Sequence, residues 1–225
     1  MKKFAATRYA VMGAGIFVLA VAGAALAKDE QDIVTKEYDF VGFDRIDISG
    51  VYEIEVRVGK GFYIELSGLA DEMAPVKATV ESGVLHLEQR ETKRKKHRKY
   101  KNHHGVKAKI TLPSLVGLEV SGVVEGTVTD IDAEKFALAI SGVGDVELSG
   151  ECGAFDAKVS GVGDLDAKAL ECRSVEIAVS GVGDASVFAR DEVDARVSGM
   201  GDIDVYGSPK SVQKSSSMFA DITVH

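Results

Sequence analysis

The five residues Ser-Gly-Val-Gly-Asp occur unbroken at 141–145, 160–164 and 180–184, and with Met for Val at 198–202. Looser copies stand at 121–125 (SGVVE) and 49–53 (SGVYE). From Ser121 onward successive serines are 20, 19, 20 and 18 residues apart. A phrase that returns at so steady an interval marks a repeat architecture, in which each copy is one unit that cannot bury its own apolar face and must stack on the next.

The flanks say what the unit is. Leu138 and Ile140, Ala157 and Val159, Ile177 and Val179, and Ala195 and Val197 precede the serines. Val146 and Leu148, Leu165 and Ala167, Ala185 and Val187, and Ile203 and Val205 follow the acids. Polar or small residues alternate with them, the period-two pattern of a strand with one buried face. The glycines make the phrase a corner, and its apolar middle residue (Val143, Val162, Val182, Met200) is expected to point inward. Two short strands and two corners in 18–20 residues make one coil of a parallel β-helix, an all-β solenoid with coils about 4.8 Å apart. The column before the serine then reads Ile48, Val120, Ile140, Val159, Val179, Val197. A sandwich could also use short, evenly spaced strands, but it has no need of the same corner at nearly the same interval.

Residues 1–27 do not belong to this pattern. Lys2, Lys3 and Arg8 precede an apolar stretch from Val11 to Leu26, and Ala25-Leu26-Ala27 offers a small-x-small cleavage site. This is the three-part pattern of a secretory signal peptide, too short in its apolar run for a membrane span. The mature chain, residues 28–225, is expected to form a single domain without a transmembrane span. It carries 24 Lys and Arg against 35 Asp and Glu. Eight of those bases fall within residues 90–101, so an acidic body bears one basic outgrowth. Cys152 and Cys172 lie 20 residues apart, one coil, which places them a ladder step from each other and within disulfide reach in an oxidising compartment.

The region before Ser121 is less regular. Residues 28–40 are expected to cover the open edge of the first coil, since an uncovered end would template aggregation. Gly59-Lys60-Gly61 suggests a hairpin joining Ile54–Val58 to Phe62–Leu66. Asp71–Pro75 reads as a short connection, and Val76–Val80 with Val84–Leu87 as a second strand pair. No coils are assigned across residues 54–116. At the far end Lys210–Ser217 is polar and Met218–Val224 a short closing strand.

The chain resembles the putative auto-transporter adhesin family with the head GIN domain. The likeness rests on the leader, the FxxIDISG-like strand (Phe43, Ile46, Asp47, Ile48, Ser49, Gly50), the SGxGD corners and the closing Val205–Pro209, VYGSP. It spans about residues 40–225. The resemblance implies a right-handed parallel β-helix exported to the bacterial envelope or surface, and brings no catalytic residues with it. The last corner, Ser216-Ser217-Met218-Phe219-Ala220-Asp221, lacks the glycines, which argues against a full final coil.

Four groups are candidate sites. Lys93, Arg94, Lys95, Lys96, Arg98, Lys99 and Lys101, in a loop spanning 90–105, form an anion-binding cluster. Clustered bases attract phosphates and sulfates by counterion release, which in an envelope means lipopolysaccharide, anionic lipid or acidic glycan rather than nucleic acid. A solvated loop without a ligand is the alternative. Asp145, Asp164, Asp184 and Asp202 should stack on one corner edge, as calcium candidates or as acceptors for turn amides. His97, His103 and His104 form an adventitious metal-binding group at most, because a dedicated site needs fixed geometry. The repeated serines lack a partner histidine, His225 being the only one in the repeat region, so a triad is not expected. No metal or cofactor is assigned. The sequence reads as a non-enzymatic exported surface protein of adhesin type. The alternatives are a scaffold whose acidic face meets an envelope protein and, by fold analogy only, a polysaccharide-active enzyme.

Overall fold

A computed structural model of the chain describes residues 33–90 and 105–225. The signal-peptide region and the basic run 93–104, with its histidines, lie outside the described residues. Nearly all the rest is strand, wound into a β-solenoid of about five turns.

The regular part is made by β8 (Gly117–Val120), β9 (Val123–Ile140), β10 (Val143–Val159), β11 (Leu165–Val179), β12 (Ala185–Val197) and β13 (Ile203–Tyr206), all paired in parallel with the coil before and after. Each long strand runs along both faces of one coil, pairing over its length with the strand of the next coil. Ile48, Val120, Ile140, Val159, Val179 and Val197 stack in register and are all buried. Phe136 and Phe155 stack beside them at 5.7 Å. Among the described residues the Tyr52 hydroxyl is buried without a hydrogen-bond partner, and the rest of the core is apolar.

The first phrase is part of this stack despite the distance in sequence. β2 (Arg45–Ser49) pairs with β8, and β3 (Val51–Val58) pairs with β9, so Val51 lies beside Val123 and Tyr52 beside Val124. Between them the chain leaves the solenoid and returns on its other side. β6 (Val84–Gln89) pairs in parallel with β2, and β7 (Val106–Leu112) with β3, forming a coil below the first. The hairpin expected at Gly59–Gly61 is not formed. β4 (Tyr63–Leu69) runs antiparallel to β7, which separates it from β3. The antiparallel pair of β5 (Val76–Glu81) with β6 is present, reached through α1 (Ala70–Met73). β1 (Ile33–Glu37) then pairs antiparallel with β4 and covers that edge.

The far end continues further than the missing glycines suggested. β14 (Ser211–Ser216) pairs with β12, and β15 (Ile222–Val224) with β13, adding a last coil. Its inward register positions opposite Val193, Ala195 and Val197 are Val212, Lys214 and Ser216. The Lys214 ammonium reaches across the open end to donate to the Ile222 carbonyl at 3.1 Å. An inward-pointing charge blunts an end that would otherwise accept another strand.

Candidate functional site

The phrase itself builds one face of the solenoid. Alternation runs through it without a break: Ile140 and Val146 are buried, and Ser141, Val143 and Asp145 are exposed. The inward positions fall to the two glycines. A Cβ on Gly142, Gly161, Gly181 or Gly199 would sit 1.7–1.9 Å from the carbonyl oxygen of the glycine one coil below. The second column, Gly163, Gly183 and Gly201, combines φ of 132–147° with a Cβ position 2.0–2.1 Å from a backbone oxygen. The phrase therefore contains glycine because coil backbones touch there, leaving no volume for a side chain.

This corrects the expected direction of the middle residue. Val143, Val162, Val182 and Met200 point outward, 44–55% exposed. They pair with one another in parallel bridges, and Val51 and Val123 precede them in register. Phe219, 75% exposed, holds the same place in the sequence of the last corner, but the bridges end at Met200, and the Phe219 amide bonds the Ser217 hydroxyl instead. The result is a ladder of apolar side chains in solvent. The sequence carried the signal for it, since counting by twos from Ile140 places Val143 outside.

The polar residues of the phrase stay within the ladder. Ser121, Ser141 and Ser160 donate their hydroxyls to Ile48, Val120 and Ile140 carbonyls, each at 3.3 Å. The backbone amides of Asp164, Asp184, Asp202 and Asp221 donate to the carboxylates of Asp145, Asp164, Asp184 and Asp202 at 2.8–3.0 Å. Each aspartate thus fastens the coil above it. Among the described residues no group of three or more His, Cys, Asp or Glu side chains converges to hold a metal ion. His86, half-buried, meets Asp47 at 3.0 Å instead.

Charge is balanced differently on the other faces. Arg190 meets Glu171, Arg196 meets Glu176 at 3.2 Å, and Lys210 meets Asp191 at 3.2 Å, all between neighbouring coils, while Arg173 reaches Glu134 at 2.8 Å two coils away. At the foot of the corner's own acidic column Lys107 lies 3.0 Å from Glu53, the register partner of Glu125, and 2.6 Å from Glu55; its hydrogen bond holds the Glu55 carboxyl below the ordinary range and its own ammonium above. Asp145, Asp164, Asp184, Asp202 and Asp221 have no cationic partner among the described residues. The apolar ladder is accordingly edged by an acidic one whose aspartates have no cationic partner among the described residues. At its lower end lies a shallow depression of about 320 Å³, lined by Val51, Glu53, Val123, Glu125, Val143 and Asp145 among others.

Cys152 and Cys172 are register partners joined by a disulfide, with Cα atoms 4.5 Å apart. The bond staples two coils away from the corner.

The register also locates the ends of the basic segment. Ser49 pairs with Glu88 and Tyr52 with Val106, so residues 89–105 stand where the next coil has only Gly50 and Val51. The Gln89 carboxamide oxygen accepts from the Val51 amide at 3.0 Å. The described ends of the basic segment, Gln89 and Gly105, therefore lie at the corner, at the lower end of the apolar and acidic ladders.

Residues 42–209 match the family model described as putative auto-transporter adhesin, head GIN domain. The chain belongs to this family. Among solved structures, the head GIN domain here resembles a putative adhesin from Bacteroides fragilis, with a TM-score of 0.71 and 24% identity, covering 87% of this chain and 98% of that one. A putative lipid binding protein from Parabacteroides distasonis is more distant, at TM-score 0.47 and 18% identity over 86% of this chain and 98% of that one. No curated protein matches the chain. The first likeness extends the solenoid to a solved structure. Among the described residues no helix is long and apolar enough to cross a membrane.

Proposed function

We propose that this head GIN domain is an exported, non-catalytic binding protein of the cell envelope, held to anionic components by its basic segment. Residues 1–27 are the signal peptide, and residues 28–225 the single mature domain. The observation that carries the reading is the insertion of Lys93, Arg94, Lys95, Lys96, Arg98, Lys99 and Lys101 at a corner whose counterparts in the other coils are tight turns. Both ends of the segment are anchored in paired strands, which supports a projecting cationic loop. An acidic body repels an anionic surface, so the loop would meet that surface first.

The ligands that fit are lipopolysaccharide phosphates, anionic lipid headgroups and acidic glycans, with the bases neutralising charge and releasing counterions. The non-catalytic part of the reading is supported by the phrase itself, whose serines and aspartates bond to carbonyls and amides of neighbouring coils. Adhesin is also the name given to the family and to the solved relative.

The test is sedimentation of the mature protein with vesicles of neutral phospholipid, with and without anionic phospholipid or lipopolysaccharide, over a range of salt. Binding should require the anionic component, weaken with salt, and vanish when the seven bases are replaced by Ser and Gly. Equal binding by the replaced form would remove the basic segment from the mechanism.

A further inference from the structure

We propose that the corner face is a docking strip for an extended polypeptide segment of a partner protein, one that carries basic and apolar side chains in alternation. The strip is the outward ladder from Val51 to Met200 together with the acidic ladder from Glu125 to Asp221. Backbone geometry leaves the middle position of the phrase free: its side chain stands in solvent, and the steric demand of the corner falls on the glycines either side. A polar residue would fit equally well at each coil. Six successive corners nevertheless place an apolar side chain there, and contiguous apolar surface kept in water marks an interaction site.

Charge and shape narrow the occupant. On the other faces Glu134, Glu171, Glu176 and Asp191 pair with Arg or Lys of another coil, whereas the corner aspartates face solvent without a cation among the described residues. A partner that carries positive charge beside its apolar contacts would complement these carboxylates. Five steps of about 4.8 Å make the ladder roughly 24 Å long, the reach of about seven extended residues. It is one side chain wide, with acids along one edge, so an extended segment matches it better than a globular surface. The depression between Val51, Val123 and Val143 provides a seat for a larger side chain at the lower end.

This inference does not rest on the basic segment, and the variants separate the two. A fluorescent peptide of alternating Lys and Val is titrated with the mature protein, with alternating Glu/Val and Lys/Ser peptides as controls. The Lys/Val peptide should bind at least about tenfold more tightly than either control. The combined Val143→Thr, Val162→Thr and Val182→Thr variant keeps the branched shape and should lose about tenfold in affinity. Asp164→Asn with Asp184→Asn retains an oxygen acceptor for the amide ladder and should flatten the salt dependence while preserving the melting temperature. Replacing the basic segment should change nothing. The proposal is overturned if the Glu/Val or Lys/Ser peptide binds as well as Lys/Val. It is equally overturned if both strip variants bind like the parent, or if the threonine changes abolish only self-association or vesicle binding, which would assign the strip to a second copy or to lipid.

Discussion

Gly161→Ala would place a methyl carbon 1.7 Å from the Gly142 carbonyl oxygen and 2.8 Å from its carbonyl carbon. No side chain can yield there, because the obstruction is backbone. Reaching an ordinary contact requires the coils to part by more than an ångström at the corner. The bonds Ser160 N to Ile140 O at 2.8 Å and Val162 N to Gly142 O at 3.0 Å would then be broken. Two lost hydrogen bonds at about 1 kcal/mol each and overpacking strain of about 1–3 kcal/mol give a destabilisation of roughly 3–5 kcal/mol. At about 2–4 °C per kcal/mol for a chain of this size, the melting temperature should fall by roughly 10 °C. Gly59→Ala is the control: the nearest atom to its added carbon is a Thr111 methyl at 3.7 Å, an ordinary contact. Circular dichroism melts of both variants, with hydrogen exchange at residues 160–163 to localise the effect, make the comparison. If Gly161→Ala melts with Gly59→Ala, the steric account of the phrase is wrong.

Three further outcomes are expected. Reducing the Cys152–Cys172 disulfide, which spans 20 residues, should cost about 3 kcal/mol, read as a lower melting temperature in reductant. Lys214→Val removes the inward charge at the open end and should make the protein self-associate with concentration in analytical ultracentrifugation, relative to the parent. Tyr63 donates to Glu65 at 2.9 Å, and that bond pushes its phenol up to about 12. Its contribution to stability is complete below the unfolded value near 10 and is lost as the pH rises through about 12, so ultraviolet titration of Tyr63→Phe should lack one late-ionising phenol.

What could be read in advance followed from periodicity. The buried column from Ile48 to Val197 was legible because each member stands one residue before a serine, and the two cysteines because they are one coil apart. The outward valines were misread because an apolar residue between glycines suggests a plug; the alternation continuing from Ile140 to Val146 argues otherwise. The coil built from β6 and β7 was hidden by order: it follows β2 and β3 in the chain but lies on the side opposite the next coil, and the basic insertion separates its halves. The last coil was underestimated because stacking there continues through backbone pairing and Asp221, without the glycines.

The central functional claim is attachment through the basic segment, and it is tested most directly on the protein's own envelope. Purified mature protein is mixed with envelope fractions over a salt series, beside the form whose bases at 93–101 are Ser and Gly. The account predicts that the parent binds, that salt releases it, and that the altered form stays in solution. Binding that is equal in both forms and indifferent to salt would contradict it.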